Sequence, residues 1–105
     1  MNARISNLYI NHVNPNATDQ ALAVDNTAGG VQFSALQSDT NYVLIDVQDA
    51  DVRMTLDGSA PTASNGHLLQ SSQGLLTMGA ELIADAKFIR DDATDAVIHL
   101  TEFVD

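Results

Sequence analysis

The sequence predicts an all-β fold, either a small antiparallel β-sandwich or a barrel. About eight short segments carry apolar residues at alternate positions or in β-rich runs, as half-buried strands do. Turn residues separate these segments at intervals of roughly 8–12 residues, which is typical of antiparallel β-proteins. The chain has 105 residues, which is enough for one hydrophobic core, and we find no linker that would separate two domains.

The first third of the chain predicts short strands separated by polar turns. Residues 5–13 are expected to form an extended segment, which ends at an Asn-Pro-Asn turn around Pro15 because proline cannot donate to a strand ladder. A short strand is expected around Leu22 and Val24, followed by a glycine-containing loop. Apolar and polar residues alternate again at 31–35, which predicts a further strand.

The central third carries the clearest strand pattern. Val43, Ile45 and Val47 fall on one face of a segment that spans 42–47. A second alternating segment covers 52–56, and a short polar stretch joins the two. Two β-rich segments joined in this way predict an antiparallel hairpin.

The last third is less regular. Two leucine pairs, at 68–69 and 75–76, flank a polar turn and predict two short extended pieces. Residues 80–89 fit both a helical stripe and a strand, so a short helical turn remains open near 80–84. The chain is expected to close with a hairpin between 87–90 and 97–103.

The charge balance excludes several classes of partner. Four lysine and arginine residues stand against 14 acidic residues, for a net charge of −10. The four cations are scattered and form no basic patch, so we expect neither a nucleic acid nor an anionic membrane as partner. No apolar run approaches the length of a membrane span, and residues 1–13 lack the features of a signal peptide.

The sequence predicts no enzymatic activity, no catalytic residue, no metal site and no cofactor. It contains no cysteine, no nucleophile elbow, no phosphate-binding glycine loop and no zinc-protease motif. His12, His67 and His99 lie on three separate segments, without the spacing of a metal site. We expect the imidazole of His67, which follows a turn, to bond loop backbone.

Two acidic loops leave calcium binding open as an alternative. Carboxylate oxygens gathered in loops are the ligands that calcium prefers, although the spacing here does not match an EF-hand loop. We therefore expect both loops to be solvated. The residues concerned are Asp46, Asp49, Asp51 and Asp57 in the first group and Asp91, Asp92 and Asp95 in the second.

The most distinctive stretch is residues 52–62, in which a strand runs into a tight turn formed by Asp57, Gly58, Ser59 and Pro61. It resembles the Tyr-Thr-x-Asp-Gly-Ser-x-Pro-Thr signature of chitobiase-type immunoglobulin-like domains, which accompany many carbohydrate-active enzymes. The resemblance implies an immunoglobulin-like sandwich and a carbohydrate-binding or adhesive module. A methionine stands where that family usually has an aromatic residue, and aromatic residues make up only 5% of the chain, which disfavours sugar stacking.

A second resemblance covers residues 52–104. The order of several short motifs is similar to that in small structural proteins of tailed phages and prophages. These motifs are Val52-Arg53-Met54-Thr55-Leu56-Asp57-Gly58, Pro61-Thr62, Gly66-His67-Leu68-Leu69, Ala86-Lys87-Phe88-Ile89-Arg90 and Ile98-His99-Leu100-Thr101-Glu102-Phe103. The resemblance implies a virion component, with a capsid decoration (cement) protein ranked first. A neck, head–tail joining or tail-associated protein is the alternative.

In a decoration protein, residues 1–13 would form an extended arm and residues 14–105 a β domain. The arm would bind the major capsid protein by adding a strand to an exposed edge. The protein would also contact copies of itself, with a trimer favoured, on the capsid surface of a virion assembled in the bacterial host cytoplasm. The expected partner-binding residues are Arg4, Ile5, Leu8, Tyr9 and Ile10.

Overall fold

The structure, a computed structural model, describes residues 12–105. That part of the chain confirms the predicted all-β class, because antiparallel strands in two sheets account for most of its regular structure. The strands are β1 (His12–Val13), β2 (Gln20–Val24), β3 (Tyr42–Gln48), β4 (Val52–Thr55), β5 (His67–Leu69), β6 (Leu76–Gly79), β7 (Lys87–Arg90) and β8 (Ala96–Val104). A 3₁₀ turn covers Ser71–Gln73, and one short helix, α1, covers Ala80–Ala84.

The larger sheet is organised around β8, its longest strand. One side of β8 pairs with β3, and β3 in turn pairs with β6. The other side of β8 pairs with β2 along its first half and with β1 at its end. All these pairings are antiparallel. In this strand order β6 lies at one edge of the sheet, and β1 and β2 lie at the other.

The smaller sheet has the order β5-β4-β7. Val31 adds a single bridge to Phe88 of β7, through backbone hydrogen bonds of 2.8 and 2.9 Å. The strand predicted at 31–35 is therefore wrong beyond this bridge. After this bridge, a side chain bonds the backbone where a strand would need a neighbouring strand. The Gln20 amide oxygen accepts a hydrogen bond from the Ser34 N–H at 2.9 Å.

Both predicted hairpins are also wrong, although their strands are present. β3 lies in the larger sheet and β4 in the smaller one, and β7 and β8 are divided in the same way. The connections are therefore corners between sheets, and Asp49 takes a positive φ of 78° at the first of them. A corner and a hairpin show the same alternation and the same turn residues, so the pattern alone does not separate them.

The core lies between the two sheets. Alternate residues of β3 and β8 point inward, so the strand pattern read from the sequence correctly identifies one buried face. The smaller sheet contributes Phe88, which is fully buried. The buried hydrophobic residues are Val24, Val43, Ile45, Val47, Val52, Met54, Leu69, Met78, Ile83, Ala86, Phe88, Ala96, Ile98 and Leu100.

The ambiguous stretch at 80–89 divides into helix and strand. Its first part forms α1, which places Ile83 in the core, and its second part forms β7. No helix within residues 12–105 is long and apolar enough to cross a membrane.

Candidate functional site

The motif at 57–61 forms a tight turn held by its own side chains. Asp57 accepts hydrogen bonds at one carboxylate oxygen from the Ser59 N–H at 3.0 Å and from the Ser59 hydroxyl at 2.6 Å. Gly58 has a φ of 84°, which favours glycine. The Thr55 hydroxyl at the end of β4 donates to the Ser59 carbonyl at 2.5 Å. The bonds from Ser59 lower the pKa of the Asp57 carboxyl below its ordinary value.

Pro61 anchors this turn to the rest of the fold. Its side chain is almost completely buried. It packs against Gly30, where an added Cβ would lie 2.9 Å from the proline ring. The four motif residues thus form a structural unit, in which Asp57 and Ser59 bond each other and Pro61 faces inward.

A depression of about 430 Å³ adjoins the motif turn. Its lining contains no phenylalanine, tyrosine or tryptophan, so it lacks the large apolar rings on which a sugar would stack. His67 stands on β5 at its rim and is exposed. Its imidazole makes no hydrogen bond within the described part of the chain, so the expected bond to loop backbone is wrong. The lining residues are Met54, Thr55, Leu56, Asp57, Ser59, Asn65, Gly66 and His67.

Several carboxylates of the two acidic loops bond protein groups. Asp51 accepts a hydrogen bond from the Ser71 N–H at 2.9 Å. Asp91 pairs with Arg53 at 2.8 Å, and Asp95 pairs with Arg90 at 2.6 Å, so the side chains point to different partners. Within residues 12–105 no three histidine, aspartate or glutamate residues are grouped as a metal site would require. His12 lies on β1, and His99 lies on β8 directly opposite Asp46 of β3.

The predicted arm meets the fold at the end of β8. Its partner-binding residues Arg4, Ile5, Leu8, Tyr9 and Ile10 lie outside the described residues. The last two residues of the predicted arm form β1, which pairs antiparallel with Phe103 and Val104. The segment at 1–11 contains one arginine and no acidic residue, whereas all 14 acidic residues follow it.

A polar cluster fixes the chain where β1 ends. We define it as Asn14, Asp39, Thr40 and Glu102, of which Asp39 alone is exposed. The Asn14 amide group, on a fully buried residue, donates to the Asp39 carboxylate at 2.7 Å and to the Thr40 hydroxyl at 3.0 Å. The Thr40 hydroxyl in turn donates to the Glu102 carboxylate at 2.6 Å. The bond from Asn14 lowers the pKa of the Asp39 carboxyl below its ordinary value.

The sequence analysis missed this cluster. One signal was available, since period-2 alternation along β8 places Glu102 on the same face as the buried Ile98 and Leu100. The partners of Glu102 come from a loop more than 60 positions earlier in the chain. A strand pattern does not identify partners at that separation.

A groove of about 460 Å³ lies between the loop that follows Val31 and α1. The sequence does not predict this groove, because the alternation at 31–35 predicts a strand in place of the loop. Its lining mixes apolar and polar residues. The lining residues are Phe33, Ser34, Ala35, Leu36, Gln37, Ser38, Thr40, Ala80, Glu81, Ile83 and Ala84.

Comparison with known proteins gives no relative from which a role could be carried over. No protein-family model, no curated protein and no solved structure matches this chain. The residues themselves are therefore the basis for assigning a function.

Proposed function

We propose that this chain is a non-enzymatic structural protein of a tailed-phage virion, and specifically a capsid decoration protein. It bridges neighbouring major capsid subunits and stabilises the head. The motif order across 52–104 supports the virion class. The observation that carries the decoration role is the contrast between an acidic β body, residues 12–105, and a cationic, partly apolar segment at 1–11.

The segment at 1–11 attaches the protein to the shell. Ile5, Leu8 and Ile10 supply apolar side chains, and Arg4 pairs with a capsid carboxylate. An extended segment of this kind adds a strand to an exposed edge, where main-chain hydrogen bonds supply affinity. Many such contacts around one particle give avidity from individually modest interfaces.

The body supports this role through charge and rigidity. A net charge of −10 keeps many copies soluble and disfavours contact with packaged DNA. The polar cluster holds Asn14, which directly follows β1, so the end of the body next to residues 1–11 is held in place. Its partners are the major capsid protein and copies of itself, with a trimer favoured, on the surface of a virion assembled in the bacterial host cytoplasm.

Deletion of residues 1–11 should abolish attachment to the shell while the body stays folded. The cut leaves β1 and its pairing with β8 in place. The measurement is co-sedimentation of the purified protein with heads that lack it, alongside thermal unfolding of the deletion variant. Undiminished co-sedimentation of a folded deletion variant would rule out the attachment role of this segment.

A pair of matched variants separates side-chain contacts from charge. Ile5→Asp with Ile10→Asp should prevent attachment because it removes two apolar contacts. Ala3→Asp with Asn7→Asp makes the same charge change at positions outside the expected apolar set and should retain more binding. Equal loss in both double variants would assign the effect to charge alone.

Two other roles have weaker support. A neck or tail-associated protein agrees with the same motif order and differs in copy number. A carbohydrate-binding module has the motif turn in its favour, but Asp57 and Ser59 bond each other and the adjoining depression has no phenylalanine, tyrosine or tryptophan.

A further inference from the structure

One asparagine of the chain is followed directly by glycine. The pair, Asn65-Gly66, lies in the connection between β4 and β5, and the sequence contains no second Asn-Gly pair. The side-chain carbonyl carbon of an asparagine is close enough to the backbone nitrogen of the next residue for the two to close a ring. Glycine hinders this attack least, because it has no Cβ beside the nitrogen.

The side chain of Asn65 is weakly held at the surface. Asn65 is exposed, and its amide group donates a single long hydrogen bond, 3.4 Å, to the Ala60 carbonyl. The backbone of Asn65, by contrast, is bonded in both directions to Thr62, at 3.1 and 3.2 Å. The turn therefore holds the main chain of Asn65 in place and leaves its amide open to water.

The backbone nitrogen of Gly66 is available to react. Its N–H donates no hydrogen bond within residues 12–105, whereas its carbonyl accepts one from Arg53 at 3.3 Å. Gly66 has a φ of 121°, and an added Cβ would lie 3.0 Å from the Met54 carbonyl oxygen. The fold thus requires glycine at the position that also gives the least shielded nucleophile.

We propose that Asn65 is a site of spontaneous deamidation in the folded protein. The Gly66 nitrogen gives its proton to solvent base and attacks the side-chain carbonyl carbon of Asn65, which forms a carbon–nitrogen bond and closes a succinimide ring. The bond to the side-chain amide nitrogen breaks, and that nitrogen takes up a proton and leaves as ammonia. Water then opens the ring at either of its carbonyls and yields aspartate or isoaspartate. No group is oxidised or reduced, and water is the only co-reactant.

Both products change the protein at the entry to β5. Each adds a carboxylate to a chain that already carries −10, on the depression that Asp57 also lines. Isoaspartate also lengthens the main chain between the Thr62–Asn65 bridge and β5, where His67 pairs with Met54 of β4. The modification does not depend on the proposed role in a virion, because it needs only the chain and water.

The other asparagines within residues 12–105 lack this combination. Asn14 is fully buried and precedes Pro15, whose nitrogen carries no hydrogen. Asn16, Asn26 and Asn41 precede residues that have a Cβ beside the attacking nitrogen. Deamidation is therefore expected first at Asn65.

The Asp57-Gly58 pair is the closest chemical analogue in the chain. An aspartate before glycine closes the same ring with loss of water, but an ionised carboxylate resists attack at its carbon. The bonds from Ser59 lower the pKa of the Asp57 carboxyl, which keeps it ionised. Isomerisation at Asp57 would also leave the mass of the chain unchanged, so it does not affect a measurement of mass.

Tryptic digestion separates Asn65 from the other asparagines. Cleavage after lysine and arginine gives a peptide 54–87, in which Asn65 is the one asparagine, and a peptide 5–53, which contains six others. The folded full chain is incubated in mildly alkaline buffer for several weeks, and samples are digested for mass spectrometry. Peptide 54–87 should exchange an amide mass for that of a carboxylic acid at least about tenfold faster than peptide 5–53. The rate should rise with pH, and aspartate and isoaspartate should both be found.

Asn65→Gln is the matched control. It keeps an amide at the exposed position but adds a methylene, so attack by the Gly66 nitrogen would have to close a larger ring, and the mass increase should disappear. A parallel incubation in guanidinium chloride compares the folded chain with the unfolded one. Conversion confined to the unfolded chain, a rate no higher than in peptide 5–53, or a mass increase that persists in Asn65→Gln would overturn the proposal. Aspartate as the sole product would also overturn it, since that indicates direct hydrolysis without a ring.

Discussion

Phe88→Ala should lower the free energy of unfolding by about 3–5 kcal/mol, the range for truncating a fully buried aromatic residue. Phe88 has no exposed surface and lies on β7, which faces the larger sheet. Its ring contacts that of Phe33 edge-on, with centroids 5.6 Å apart. Its backbone also forms the bridge to Val31. Truncation therefore leaves a cavity where three segments of the chain meet.

Urea unfolding of the variant and the wild type measures this loss. Phe103→Ala is the control, because Phe103 is half-buried and stacks on Tyr42 with centroids 5.1 Å apart. Its truncation removes a ring without opening a central cavity, so its loss should be clearly smaller. Equal losses of unfolding free energy for the two variants would contradict the placement of Phe88 in the core between the sheets.

Asn14→Ala should cost about 2–4 kcal/mol, since net contributions of about 0.5–1.5 kcal/mol per hydrogen bond add to the cost of leaving buried groups unpaired. Asn14 is fully buried. Its side chain bonds Asp39, Thr40 and the Asn16 N–H. Removal of the amide leaves those partners without their bonds at the point where β1 ends.

Thermal and urea unfolding measure this effect, with Asn65→Ala as the control. Asn65 is exposed, and its side chain makes one long bond, 3.4 Å, to the Ala60 carbonyl. Its substitution should change stability by no more than about 0.5 kcal/mol. A loss for Asn14→Ala as small as that of the control would show that the polar cluster does not fix this region.

The strands with strict alternation were predictable from the sequence. Val43, Ile45 and Val47 were assigned to one face, and all three are buried. The reason is local, because a strand packed on one side repeats its burial every two residues. The pattern at 80–89 fits both a helix and a strand, and the structure contains the short helix at Ala80–Ala84.

The arrangement of the strands was not predictable in the same way. The connection after β3 crosses to the other sheet, and the connection after β7 crosses back. Contacts between distant segments decide this choice, such as the pairing of Val52 with Arg90. Apolar and polar residues do alternate in the loop that follows Val31, and this pattern predicts a strand. In the structure, the side chains of Gln20 and Glu102 accept hydrogen bonds from backbone N–H groups of this loop.

Candidate sites built from neighbouring residues were predictable, and those built from distant residues were not. The turn at Asp57 and Gly58 was predicted because its residues interact locally. The polar cluster needs Asn14 and Glu102, which are far apart in the sequence, to meet. The scarcity of charged residues between Asp57 and Asp85 is present in the sequence, but only the pairing of the strands places β5 and β6 at sheet edges.

The most direct test of the decoration role is the copy number of this protein in purified particles, measured by quantitative mass spectrometry against the major capsid protein. A decoration protein occupies repeated positions on the shell, so we expect on the order of hundreds of copies per particle. A copy number of about six or twelve would contradict this role and place the protein in a ring at the neck or tail. Absence from the particles would contradict the virion assignment as a whole.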